Sequence, residues 1–322
     1  MEFLTATISI IIDGLIYSSW IFIVAVGLSL IFGVLGILNI AHGGLYAFGA
    51  YVAAWGIGKY FDPVFKGKIG LWGYSFTYDF KFDTQLPPVG SFALMLLAAI
   101  VVGVILGLLL ERGLLRFMYG RDEVIIVLVT FAAFLMLEDA IMFIFGVDAY
   151  FAFQPYAMMG NVEILDIPYS NYELFISPLA LVVCALLWWG LTRTIWGKLL
   201  QAVIHDREIA QAFGINVSRV FTVTFVLGAI LGALGGAFTA PMISVAPGMG
   251  LEVIVLAFAV VAIGGMGSIP GAAVGALFVG MIRAAAVHLL PELELFIIYA
   301  VMALVLAFRP QGLFGQAEAR KI

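Results

Sequence analysis

Charge is scarce in this sequence. Of 322 residues only 11% are Asp, Glu, Lys or Arg, where an ordinary globular domain carries about 25%. Cysteine occurs once, at Cys184 inside an apolar run, which excludes both a disulfide framework and a cysteine metal cluster. The three histidines, His42, His205 and His288, lie far apart in sequence and make a poor case for a metal site. Fifteen Lys and Arg against twenty Asp and Glu give a net charge of −5 with no basic face, so nucleic acid is not an expected partner. No G-x-x-x-x-G-K-[ST] loop, G-x-S-x-G elbow or H-E-x-x-H pair is present, so the chain has no recognisable nucleotide site, nucleophile or catalytic metal. Catalytic residues are therefore not expected, and any ATP that is used is bound by another chain.

What fills the sequence instead is apolar. Hydrophobic residues make up 64%, against roughly 45–50% in a soluble domain. A soluble fold could not cover that much apolar surface, so lipid is the expected solvent for long stretches. Runs long enough for a bilayer core cover 8–34, 37–57, 91–110, 124–146, 175–192, 217–245, 251–267, 271–290 and 294–308. In lipid each backbone group must find its partner within its own segment, so these runs are read as helices. The expected fold is an all-α polytopic membrane protein of about eight or nine spans, organised as one transmembrane domain over residues 1–322. The run at 37–57 is interrupted by Asn39-Ile40-Ala41-His42-Gly43-Gly44 and admits a re-entrant segment. No Lys or Arg precedes the first run, which is expected to be a permanent span.

Basic residues in short connections set the orientation. Arg112, Arg116 and Arg121, then Arg193, Lys198, Arg207 and Arg219, then Arg309, Arg320 and Lys321 mark three cytoplasmic faces. The 147–173 loop holds Asp148, Glu163, Asp166 and Glu173 without Lys or Arg, which suits the outside. The 58–90 segment carries Lys59, Lys66, Lys68 and Lys81, balanced by Asp62, Asp79 and Asp83 and rich in aromatics such as Trp72. It is expected outside as a loop insertion folded into a small hairpin. The N-terminus is then outside and the C-terminus cytoplasmic.

Small residues recur four apart at Gly228/Gly232/Gly236, Gly103/Gly107 and Gly271/Gly275, which are read as helix-packing seams. Gly and Pro also interrupt spans, at Pro241 and Pro247 and throughout 264–271. Broken helices at membrane depth are common in transporters, where backbone lines a path or is shielded by protein. Asn39, His42, Gly43, Gly264, Gly265 and Ser268 are the resulting translocation-pathway candidates; His42 equally fits a packed, hydrogen-bonded histidine. Among ionisable residues inside spans, Asp13 and Glu252 lie near span ends where the interface solvates them. Glu138, Asp139 and Arg283 are deeper and opposite in sign, and the preferred reading is a structural ion pair between helices, the other being a proton relay.

The strongest local feature is the connection at 197–216. Leu199, Leu200, Val203 and Ile204 form one apolar face at helical spacing, and Asp206 stands where an N-cap would start a second short helix ending at Gly214. Helices lying on a membrane surface are usually richer in Lys and Arg, so these cytoplasmic helices fit a protein partner better.

Glu208-Ile209-Ala210, three residues and then Gly214 resemble the E-A-A-x-x-x-G coupling segment of ABC-importer permeases, with Ile at its second position. GLSLIFGVLGILNIAHGG at 27–44 and GGMGSIPG at 264–271 are similar to two further passages of the branched-chain amino-acid permeases, and the whole most resembles the H-type of that family. The 58–90 loop is longer than expected for the family. The resemblance implies an inner-membrane subunit that pairs with a homologous second permease. It implies two cytoplasmic ATPase subunits carrying ATP and magnesium, and an extracytoplasmic binding protein that delivers Leu, Ile or Val. Lys198, Asp206, Arg207, Glu208, Ala210 and Gly214 would be the ATPase-coupling residues. Their motion would be passed to the broken helices near His42 and Gly265. Urea or short-amide import by the same family is an alternative, as is an ion-coupled carrier using Glu138, Asp139 and Arg283.

Overall fold

A computed structural model describes residues 2–61, 65–71, 74–80, 87, 89–309 and 311–314. The expectations resting on Asp62, Trp72, Lys81, Asp83, Arg320 and Lys321 lie outside the described residues. Twelve α-helices occur among the described residues: α1 (Glu2–Leu35), α2 (His42–Tyr60), α3 (Gly90–Gly113), α4 (Glu123–Phe145), α5 (Tyr156–Met159), α6 (Asn171–Arg193), α7 (Ile195–His205), α8 (Arg207–Ala212), α9 (Val217–Thr239), α10 (Met249–Gly264), α11 (Ile269–Leu289) and α12 (Glu294–Phe308). Two antiparallel hairpins accompany them, β1 (Phe65–Leu71) with β2 (Tyr74–Phe80), and β3 (Asn161–Ile164) with β4 (Ile167–Ser170). The protein is an all-α polytopic membrane protein. Six of the described helices (α1, α3, α4, α6, α9 and α11) are long and apolar enough to cross a bilayer, and α10 and the Phe296–Phe308 part of α12 are shorter apolar helices.

Each of the nine apolar runs coincides with one helix, with shifted ends. α9 stops at Thr239 rather than continuing to 245, because Pro241 follows and cannot donate to a helical ladder. α2 begins at His42, after an unwound stretch, and runs without interruption to Tyr60 instead of folding back as a re-entrant segment. α10 has 16 residues, about 24 Å of helix, less than the roughly 30 Å hydrocarbon core.

The chain divides into two compact units. One comprises Met1–Gly36, Ile176–Phe225 and Val255–Ile322; the other comprises Ile37–Phe175 and Val226–Ile254. In the first, α1 lies along α11 and α12 packs on α11. Small residues bring these backbones together: a Cβ on Gly14 would press on Met281, one on Gly280 would land on the Ser18 hydroxyl, and one on Gly33 would meet the main chain of Gly267. The seam at Gly271 and Gly275 abuts Gly264 and Val260. Lipid offers little driving force for helix association, so such close contact supplies van der Waals attraction instead.

In the second unit α2 is the core, packed between α3 and α4, and Leu45, Tyr46, Ala47, Ala50, Tyr51, Ala53, Ala54 and Ile57 are wholly buried. Its glycines face other backbones: Gly43 meets Gly250 and Gly49 meets Ala233. Gly236 of α9 meets Tyr46, while Gly103 and Gly107 of α3 meet Ile230 and Val226. The glycine spacing thus marks packing seams, as expected. Two hydroxyls tie the unit further, Tyr46 to Thr239 at 2.7 Å and Tyr172 to the Phe238 carbonyl at 2.7 Å.

Candidate functional site

The connection from α1 to α2 is unwound between Gly36 and Ala41, and two of its backbone groups face a hydroxyl of α4. Thr130 Oγ1 accepts from the Ile40 amide at 3.3 Å, and its one proton faces the Val127 carbonyl of its own helix at 2.9 Å and, farther off, the Leu38 carbonyl at 3.3 Å. The hydroxyl thereby replaces part of the ladder that a continuous helix would have supplied. Asn39 sits in this stretch, completely buried, and neither polar atom of its amide has a hydrogen-bond partner among the described residues. His42 opens α2, also completely buried, with its ring seated on Gly232, where a Cβ would strike the imidazole. Gly43 follows, against Gly250 and Ile254. Asn39, His42 and Gly43 are therefore brought together at the start of a buried helix.

Glu138 adds an ionisable group to the same unit. Its Oε2 accepts from the Gly248 amide at 3.0 Å, just ahead of α10. A helix start with unsatisfied amides is a favourable place for a carboxylate. Its Oε1 has no partner among the described residues and lies beside Gly250, which also borders the Gly43 carbonyl. The Tyr51 hydroxyl is another buried oxygen without a partner among the described residues. Thr130 is seven residues after the start of α4 and Glu138 seven before its end, so each is about 10 Å along the helix from the nearer terminus. This places the unwound stretch and the carboxylate at membrane depth. Thr130, Tyr51 and Gly248 were not singled out from sequence. A lone hydroxyl inside the apolar run of α4 was the available signal for Thr130.

Gly264, Gly265 and Ser268 lie together in the other unit. Gly265 and Gly267 have φ of 108° and 80°, conformations open to glycine, and they turn the chain from α10 into α11. Ser268 caps α11 by accepting from the Gly271 amide at 3.0 Å, and its carbonyl accepts from Ser29 Oγ at 3.2 Å. The Leu313 and Phe314 amides each donate at 2.9 Å to the Ile263 and Gly264 carbonyls that end α10. This loop is hydrogen-bonded on several sides rather than open.

The 197–216 connection is two short helices, α7 and α8. Thr194 caps α7 by accepting from Gly197 at 3.1 Å, and Val203 is buried while Leu199 and Leu200 are half-buried. Asp206 Oδ1 accepts from the Glu208 and Ile209 amides, both at 2.9 Å, the N-cap expected from sequence. At the other end Gly214 takes φ of 80°, and the Gly214 and Ile215 amides donate to the Gln211 and Ala210 carbonyls, a Schellman closure. Ala210 is buried, whereas Lys198 and Glu208 are exposed. Outward from the hairpin stand Ile209, 56% exposed, and Phe213, 83% exposed.

The remaining intramembrane charges differ from expectation. Arg283 is bonded to Glu294 and its guanidinium lies 4.0 Å over the Tyr17 ring, so it is not the partner of Glu138. Glu294 stands across the turn between α11 and α12, close enough in sequence to capture the arginine first. Asp139 is exposed on α4. Asp13 is bonded to His288 at 2.7 Å rather than being held by interfacial solvent alone.

A buried core helix preceded by an unwound stretch, a carboxylate well inside a spanning helix and a capped hairpin belong here to one multi-pass membrane protein. Residues 10–306 match the family described as "Branched-chain amino acid transport system / permease component", and the chain belongs to that family. It is 27% identical over 323 residues to the high-affinity branched-chain amino acid transport system permease protein BraD of Pseudomonas aeruginosa, covering 97% of both chains. Over 315 residues, 96% of each chain, it is 25% identical to the LivH permease protein of Escherichia coli K12. A shorter similarity, 38% over 110 residues and 32% of this chain, links it to 30% of the fructose import permease protein FrcC of Rhizobium meliloti. No solved structure matches the chain.

Proposed function

We propose that this chain is the membrane subunit of an ATP-driven importer of aliphatic, branched-chain amino acids. The observation that carries the reading is the α7–α8 hairpin, capped at both ends of α8 and presenting Ile209 and Phe213 outward, on a chain similar throughout to branched-chain amino-acid permeases. An exposed Phe at the C-cap of a short, doubly capped helix suits a protein groove. With no nucleotide loop in the sequence, the work comes from two cytoplasmic ATPase subunits that bind ATP and magnesium and dock on this hairpin. A homologous second permease completes the path through an inner membrane, and an extracytoplasmic binding protein delivers the solute. The chain enters from outside and ends in the cytoplasm. In support, α8, which belongs to the connection holding Arg193, Lys198, Arg207 and Arg219, is bonded to the C-terminal end of α1.

A zwitterionic aliphatic solute needs an acceptor for its ammonium group, polar groups for its carboxylate and an apolar wall. Glu138 Oε1 suits the ammonium, and the Asn39 amide supplies donors, both being buried groups that lack partners among the described residues. Energy coupling runs through alternating exposure of the path.

The test is purification of the full chain with the subunits that accompany it, followed by uptake in proteoliposomes of leucine, urea and acetamide, with and without ATP. The expected result is ATP-dependent leucine uptake, with loss of ATPase-subunit retention in Glu208→Trp or Gly214→Trp. Urea or acetamide uptake in place of leucine reassigns the solute. Uptake driven by an ion gradient without ATP overturns the reading.

A further inference from the structure

One contact in the first unit joins the hairpin to the end of a span. Arg207 is the first residue of α8, and its Nη2 donates to both the Val34 and the Leu35 carbonyls, each at 3.2 Å. These are two of the last carbonyls of α1, which have no partner within their own helix and form the negative end of its dipole. The guanidinium also lies 5.1 Å from the centre of the Phe221 ring at the start of α9. Its route past Gly36, which turns the chain at φ 69°, is close: a Cβ on Gly36 would sit 3.9 Å from Nη2. Arg207 is an exposed residue, yet its guanidinium reaches back to the end of α1, while Ile209 and Phe213 of the same hairpin face out.

The far end of that contact is equally stiff. One turn back along α1, the Gly33 backbone lies directly on Gly267, and the Ser29 hydroxyl bonds the Ser268 carbonyl. Backbone-to-backbone contact has no side chain to absorb a displacement, and packed interiors compress little. α8 itself resists deformation, being held by the Asp206 cap at one end and the Gly214 closure at the other.

We propose that Arg207 is the positioning residue that couples the hairpin to α1, so that a push on α8 moves the last turns of α1 and, with them, the Gly265–Ser268 loop. The proposal rests on the reading of the hairpin as an ATPase-docking element and adds the route by which the motion enters the spans. The fork geometry matters. A guanidinium can hold neighbouring carbonyls while stacking on an aromatic face, whereas an ammonium is a point charge and a neutral side chain holds neither carbonyl.

The experiment uses the purified, reconstituted complex and measures leucine uptake per ATP hydrolysed, together with ATPase-subunit retention and thermal stability. In Arg207→Ala the subunits are expected to stay bound and ATP hydrolysis to continue, while uptake per ATP falls about tenfold, a size typical of coupling between sites. Arg207→Lys is expected to recover part of that ratio. If Arg207→Ala does not assemble, the ratio is read on Arg207→Lys and Phe221→Leu, which weaken the same clasp. An unchanged ratio in the variants that assemble overturns the proposal, as does a parallel fall of uptake, hydrolysis and retention, which marks a purely structural role. A wild-type complex without ATP-dependent uptake overturns the docking reading itself. A coupled wild type with an equally coupled Arg207→Ala overturns only the clasp.

Discussion

Gly236 lies against the main chain of Tyr46, so closely that a Cβ on the glycine would land on the tyrosine carbonyl oxygen and crowd the Ala50 amide. Neither obstacle is a side chain that can rotate away. Gly236→Ala is therefore expected to destabilise the protein by about 1–3 kcal/mol, the cost of overpacking. Gly190→Ala, on α6 with open space around it, is expected to be neutral or stabilising by up to about 1 kcal/mol. Thermal unfolding in detergent compares the two.

Thr130 accepts from the Ile40 amide of the unwound stretch, while its proton is shared between the Val127 and Leu38 carbonyls. Thr130→Val leaves the Ile40 amide and the Leu38 carbonyl without that hydroxyl, an expected loss of about 1–3 kcal/mol. Thr130→Ser keeps the oxygen and is expected to stay within about 1 kcal/mol of wild type. Unfolding midpoints of both variants check this, and uptake is expected to fall with Val alone.

Glu138 has two separable tasks, holding the Gly248 amide through Oε2 and offering Oε1 to a solute. Glu138→Gln retains an acceptor for Gly248 but loses the charge, so stability is expected to hold while leucine uptake drops. Glu138→Leu loses both, with an added destabilisation of about 1–3 kcal/mol from the stranded amide. Equal uptake by Glu138→Gln and wild type would remove the carboxylate from the solute path.

The Asp206 cap fixes the start of α8. Asp206→Ala is expected to weaken that helix by about 0.5–2 kcal/mol, seen as faster amide hydrogen exchange across 207–212, and Asp206→Asn to leave exchange nearly unchanged. ATPase-subunit retention is expected to follow the exchange data.

Much of this fold was legible in the residues. The long helices follow from apolar runs, and the breaks follow from Gly and Pro. The α8 hairpin was readable because Asp206 and Gly214 act within a few residues of themselves. Of the candidate pathway residues, Asn39, His42 and Gly43 come together in one unit and Gly264, Gly265 and Ser268 in the other, each set being contiguous or nearly so in sequence. Less visible were Thr130 and Gly248, which bond groups on segments far from their own. Arg207 is legible as part of the connection, but the bond of its guanidinium to the end of α1 is not.

By itself the sequence determined that the chain lives in lipid, where its helices fall and how the short ones are capped. Those outcomes depend on hydropathy over a span and on hydrogen bonds closed within a turn. The tertiary structure alone decided which partner each buried polar group takes. Arg283 went to Glu294, Glu138 to the Gly248 amide and Arg207 to the end of α1. The rotation and register of neighbouring helices select among donors and acceptors that one-dimensional spacing leaves equivalent.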